Sequence, residues 1–113
     1  MKRVIVTDYG FPNVDLERQI IESAGFVFEA IQPNCKTEDD IIRTCGHADA
    51  LLVQWAPVTR RVLEALPGVR CIVRYGVGVN NFDLDAARDL GVVAANVPDF
   101  CVEEVANHAL AMI

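Results

Sequence analysis

The chain has 113 residues, 52% of them apolar and 23% charged, with a formal net charge of -6. That is length for one globular domain with a modest core and too little for two, in a composition unlike that of a disordered chain. The acidic balance, with no basic cluster, argues against nucleic acid or an anionic membrane surface as the main partner.

The first apolar run, KRVIV, passes straight into Thr7, Asp8 and Tyr9, so it reads as a strand and not as a secretory signal. No segment reaches the roughly 18 uninterrupted apolar residues of a membrane span, and a cytoplasmic protein is expected. Four more runs rich in Val, Ile or Ala follow: FVFEAI, ADALLV, RCIVRY and VVAANV. Helical patterns alternate with them. Leu16, Ile20 and Ala24 make the first stripe, with Gly25 at its stop. Thr37 and Asp40 form an acidic capping box ahead of Ile41, Ile42 and Cys45, closed by Gly46. Thr59 caps a third helix carrying Val62, Leu63 and Leu66, and Leu84, Ala87 and Leu90 mark a fourth, ended by Gly91. Asp83 and Asp85 cap and charge its start. Strands joined by single helices are parallel neighbours, so the expected fold is a flavodoxin-like open α/β sheet of order 2-1-3-4-5, with helices on both faces.

Cys35, Cys45, Cys71 and Cys101 show no C-x-x-C spacing, so buried or half-buried reduced thiols are expected in place of a disulfide framework or a metal site. Asp99 can cap a fifth helix with the stripe Val102, Val105, Ala106, Ala109 and Ile113. That helix grows more apolar toward its end without a stop signal, and the reading is a domain over 1–100 followed, over 101–113, by the start of a truncated interdomain helix.

Ligands of an open parallel sheet bind at the carboxyl ends of its strands. Asp8, Tyr9 and Gly10 follow the first strand; Gln54 and Trp55 follow the third. After the fourth comes GVGVNN, in which two glycines around Val77 can expose successive N–H groups to an anion, or form a plain tight loop. This is not a full dinucleotide fingerprint, because Asn81 stands at the third glycine position and the strand is the fourth. Gln54 and Trp55 also replace the acidic residue of a phospho-receiver, and YGFPNVD lacks the hydroxyls of a flavin phosphate loop.

Taken as a unit, RYGVGVNNFDLDAARDLGVVAANVPDFCVEEVANHALAMI resembles the D-2-hydroxyacid dehydrogenase family, which includes phosphoglycerate dehydrogenases and C-terminal-binding-protein corepressors. The resemblance implies a two-domain NAD-dependent oxidoreductase, acting on small 2-hydroxy or 2-oxo acids and expected as a homodimer. Its catalytic arginine, glutamate and histidine, and its G-x-G-x-x-G loop, would lie beyond Ile113, so no catalytic residue and no metal ligand is assigned in this chain, and NAD would be held mainly by the missing domain. Within the chain, Val77 and Gly78 match loop residues whose N–H groups meet the substrate carboxylate, and Val77 also matches a position near the nicotinamide. Arg74 matches an arginine that anchors anionic substrates, its alternative being a surface residue at a strand end. Trp55 is either a pocket wall or a core-edge aromatic. Gln54 and Trp55 replace an arginine and a small residue of phosphoglycerate-type members, which implies a preference for small or apolar 2-oxo acids. Glu104 matches an orienting or interdomain glutamate; His108 reads as a packing or hinge residue and His47 as a solvated one. A corepressor-like relative and a stand-alone α/β ligand-binding module are the alternatives.

Overall fold

The structure is a computed structural model that describes residues 2–10, 12–76, 78 and 80–96. Five strands alternate with four helices: β1 (Arg3–Val6), α1 (Asp15–Ser23), β2 (Val27–Ala30), α2 (Glu38–Thr44), β3 (Ala50–Val53), α3 (Arg60–Ala65), β4 (Cys71–Arg74), α4 (Leu84–Asp89) and β5 (Val93–Asn96). All pairings are parallel, in the order β2-β1-β3-β4-β5. The expected sheet order is therefore found. The fifth helix lies outside the described residues.

The sheet sorts its side chains by alternation. Ile5, Leu51, Val53 and Ile72 point to one face, where they meet Ile41 and Cys45 of the α2 region, Val62 and Leu63 of α3, and Ala86 and Ala87 of α4. Val4, Val6, Leu52, Cys71 and Val73 point to the other, against Val14, Ile21 and Phe28. Each fully buried aliphatic side chain contributes about 1.5–3 kcal/mol, and most of the sheet's interior consists of them.

Local signals set the helix starts. Thr37 and Asp40 make the reciprocal capping box, Thr59 accepts from the Val62 N–H, and Asp83 accepts from the Ala86 N–H at 2.9 Å. Gly25 and Gly91 adopt positive φ after α1 and α4, as the stop signals require, whereas Gly46 does not.

Two helical stripes fall on other residues than expected. In α1 the inward positions are Glu17 and Ile21, continuing the line of Val14, while Leu16 is 37% exposed and Ala24 is also exposed. A glutamate occupies a core position, which shifts the apparent apolar stripe by one residue. In α4, Ala86 and Ala87 are buried while Leu84 and Leu90 are exposed, because small side chains let this helix lie close to the sheet. Glu17 is buried because Tyr75 donates its phenolic proton to Oε2 at 2.8 Å. Oε1 has no hydrogen-bond partner among the described residues. Burial pushes the Glu17 carboxyl above its usual range, against the opposing pull of the Tyr75 hydrogen bond.

Candidate functional site

The carboxyl edge of the sheet is organised by one buried carboxylate. Asp8 follows β1 and is 3% exposed. Its Oδ1 accepts from the Gln54 N–H at 3.1 Å and the Thr7 hydroxyl at 2.7 Å. Its Oδ2 accepts from the N–H groups of Trp55 at 2.6 Å and Ala56 at 3.2 Å. The topology makes this possible, since β1 pairs directly with β3 and the residues leaving both strands run side by side. Four donors occupy the acceptor positions of an ionised carboxylate, so Asp8 clamps the turn after β3 and offers no free lone pair to a reactant.

That clamp presents Gln54 and Trp55. The Gln54 side-chain oxygen accepts from the Gly10 N–H at 2.6 Å, tying the two rim segments together. Trp55 is 61% exposed and lies over Gly10, where a Cβ would come within 2.5 Å of the indole Cη2. Glycine at position 10 is what lets the indole approach the backbone this closely.

The exit of β4 is held by the opposite charge. Arg74 donates from Nε to the Gln54 carbonyl at 2.9 Å and from Nη1 to the Gly78 carbonyl at 2.8 Å. Gly76 stands between them at φ +133, and a Cβ there would lie 2.9 Å from Arg74 Nη1. The turn thus needs glycine for both its conformation and its closeness to the guanidinium. Asn81 closes the far side, donating to the Ala56 carbonyl at 2.8 Å while its Oδ1 is buried without a partner among the described residues.

Two cavities flank Trp55. One, of about 140 Å³, is lined by Trp55, Arg74, Gly78, Asn80 and Asn81. The other, of about 250 Å³, is lined by Asp8, Asn34, Cys35, Lys36, Trp55 and Ala56. Gln54, Trp55, Arg74 and Gly78, expected at the site, thus meet on one edge; Val77, Glu104 and His108 lie outside the described residues. His47 is exposed on a different loop, 3.4 Å from Glu29. Among the described residues no cluster of three or more metal-ligating side chains occurs, and no helix is long and apolar enough to cross a membrane.

In the sequence Asp8 stands out only as a residue just past the first strand. Its position directly after an apolar strand was the only signal, and the three N–H groups it collects belong to residues 54–56. In the sequence Asn81 shows only as the residue that interrupts a glycine motif. The cysteines hold a further surprise. Cys35, Cys45 and Cys71 are buried free thiols, as expected. Cys35 and Cys45, however, meet in space: the Thr44 hydroxyl lies 3.4 Å from one sulfur and 3.5 Å from the other. Spacing along the chain misses this, because Thr44 lies nine residues after Cys35.

Comparison with known proteins agrees with this architecture. The family model described as D-isomer specific 2-hydroxyacid dehydrogenase, catalytic domain, matches residues 4–111. D-3-phosphoglycerate dehydrogenase of Mycobacterium bovis is 41% identical over 76 residues, covering 66% of this chain and 14% of that protein. The Bacillus subtilis enzyme of the same name is 37% identical over 114 residues, covering 100% of this chain and 20% of its own length. Among solved structures, the NAD+-bound 3-phosphoglycerate dehydrogenase of Entamoeba histolytica superposes with a TM-score of 0.76 at 27% identity, over 86% of this chain and 33% of that one. D-lactate dehydrogenase of Escherichia coli gives 0.71 at 33% identity, over 98% and 35%. The chain therefore spans only about a seventh to a third of these relatives' lengths. With a match along nearly all of its length, it belongs to the D-isomer specific 2-hydroxyacid dehydrogenase family.

Proposed function

We propose that this chain is the substrate-side domain of an NAD-dependent oxidoreductase that interconverts D-2-hydroxy acids and 2-oxo acids. In this reading it forms one wall of a cleft, and sequence outside these 113 residues supplies the catalytic arginine, glutamate and histidine, together with the loop that binds the cofactor's phosphates. The observation that carries the reading is the cavity at the exits of β3 and β4, where Trp55, Arg74, Gly78, Asn80 and Asn81 converge. The NAD+ held by the Entamoeba histolytica relative supports the choice of cofactor. Val77 and Gly78 are the proposed carboxylate-binding residues, and Val77 also matches a family position near the nicotinamide.

The rim also bears on substrate choice. Gln54 brings no charge and spends its oxygen on Gly10, while Arg74 spends two donors on backbone carbonyls. A phosphorylated substrate would lose a charge-assisted contact here, at a cost of about 1.5–3 kcal/mol. The full-length protein is expected to favour a small or apolar 2-oxo acid over 3-phosphohydroxypyruvate by roughly tenfold or more in kcat/KM. The test compares glyoxylate, hydroxypyruvate, a branched 2-oxo acid and 3-phosphohydroxypyruvate with NADH, using the full-length protein. Turnover of none of them would sink the dehydrogenase reading. A win for the phosphorylated substrate would sink only the preference, and would direct attention to Lys36 across the Trp55 ring.

A further inference from the structure

Two of the buried thiols are arranged differently from the third. Cys35 lies in the segment between β2 and α2, anchored by its N–H to the Thr7 carbonyl at 2.8 Å. Cys45 is the C-cap of α2, with its N–H on the Ile41 carbonyl at 2.8 Å. Both sulfurs flank the Thr44 hydroxyl, and both side chains belong to the same apolar cluster. Cys71 sits within β4 on the opposite face, among aliphatic neighbours.

Access differs too. Cys35 lines the cavity of about 250 Å³ beside Asp8 and Trp55, and another of about 150 Å³ beside Asp40 and Thr44. A water molecule needs a share of about 30 Å³, so either cavity admits a small peroxide. Cys45, with no exposed surface, stands behind it.

We propose that Cys35 and Cys45 form an oxidisable dithiol, a modification site in which Cys35 is the attacking sulfur, Cys45 the resolving one, and a hydroperoxide the oxidant. The Cys35 thiolate attacks one peroxide oxygen and the O–O bond breaks. With hydrogen peroxide this gives a sulfenic acid on Cys35 and hydroxide, which takes up the proton the thiol had released. The Cys45 sulfur then attacks the Cys35 sulfur, its proton leaves with the sulfenic hydroxyl as a second water, and an S–S bond forms. Two thiols are oxidised by two electrons and one peroxide is reduced to two waters.

The local chemistry favours this assignment of roles. A hydrogen bond from the Cys45 thiol, opposed by burial and helped by Thr44, brings the Cys35 thiol down to about 7 despite the nearby Asp40 and Asp8 charges. The same contact and burial push Cys45 up, and burial alone raises Cys71 to about 11. Of these three thiols, Cys35 is the one whose surroundings favour the thiolate.

The bridge would join the segment 31–36 to the end of α2. That segment also holds the rim, since Asn34 donates to the Tyr9 carbonyl at 3.0 Å and Gln32 to the Tyr9 hydroxyl at 2.7 Å. The modification site thus lies one segment away from Gly10 and Trp55.

Peptide mapping tests the proposal independently of any dehydrogenase activity. The chain is treated with one equivalent of hydrogen peroxide, alkylated, and cut with trypsin without reductant. Cleavage after Arg18, Lys36, Arg43 and Arg60 places Cys35 and Cys45 in separate peptides, 19–36 and 44–60. The expected product is these two peptides joined, lighter by two hydrogens and separable by a reductant, with Cys71 alkylated. Before oxidation, Cys35 should be alkylated at least about tenfold faster than Cys71. In Cys45→Ser and Cys45→Ala the sulfenic acid should persist on Cys35 and be trapped by a cyclic 1,3-diketone. A link from Cys35 to Cys101, oxidation of Cys71 as fast as Cys35, or an inert Cys35 would each overturn it.

Discussion

The exits of β1 and β4 are fixed by side chains of opposite charge, and the two devices differ in kind. Asp8 is buried and gathers three consecutive N–H groups and a hydroxyl onto one carboxylate. Arg74 is half-buried and spreads its guanidinium over two carbonyls that lie on either side of it, at Gln54 and Gly78. A carboxylate surrounded by backbone donors loses most of its partners at once if it is changed. A guanidinium bridging a half-buried and an exposed segment leaves, at Gly78, a carbonyl that water can reach. The clamp on the turn bearing Trp55 is therefore the firmer of the two devices.

The largest effect should come from Asp8→Asn. One carboxylate oxygen becomes an NH2 group facing backbone N–H groups, donors against donors, and the loss should be about 3 kcal/mol. Urea unfolding checks this through the midpoint at constant m, and a loss below about 1 kcal/mol would show that water takes over the clamp.

Arg74→Met and Arg74→Lys should each cost about 1–2 kcal/mol, because lysine keeps the charge but cannot reach both carbonyls with a rigid fork. The informative outcome is their ratio. Should lysine restore the original stability, the charge and not the fork is what holds the loop, and the contrast with Asp8 collapses.

The smallest effect concerns Glu17. Its folded-state pKa lies above the ordinary value of 4.5, so the folded chain holds this proton more tightly than the unfolded one. The resulting stabilisation is complete below the ordinary value and is lost as pH rises through the raised one. Glu17→Gln should flatten that part of the pH–stability profile. An unchanged slope would mean that other carboxyls carry it.

Much of the framework could be read in advance, for reasons that particular residues show. Short Val- and Ile-rich runs separated by single capped helices leave few topologies, and Thr37, Thr59 and Asp83 cap where the sequence places them. The hidden parts depended on contacts across the sheet. Glu17 concealed the buried face of α1 because its partner, Tyr75, is 58 residues away. Cys35 and Cys45 met only once the segment before α2 and the end of α2 had folded against the same face. Gln54, Trp55 and Arg74 are visible as strand-end residues, but the Gln54 carbonyl that Arg74 Nε reaches depends on how β3 and β4 are aligned.

The Asp8 clamp also carries a consequence for the order of events during synthesis. Its nearest N–H partner in the chain is 46 residues downstream, at Gln54. On a ribosome the carboxylate emerges long before anything exists to receive it, and it remains hydrated while α1, β2 and α2 are made. Only when β3 docks beside β1 does the charge leave water, in the same movement that sets the Trp55 turn. A contact that closes after the folding transition state slows unfolding more than it speeds folding. The rim at the carboxyl edge is thus also the latch that holds β1 and β3 together.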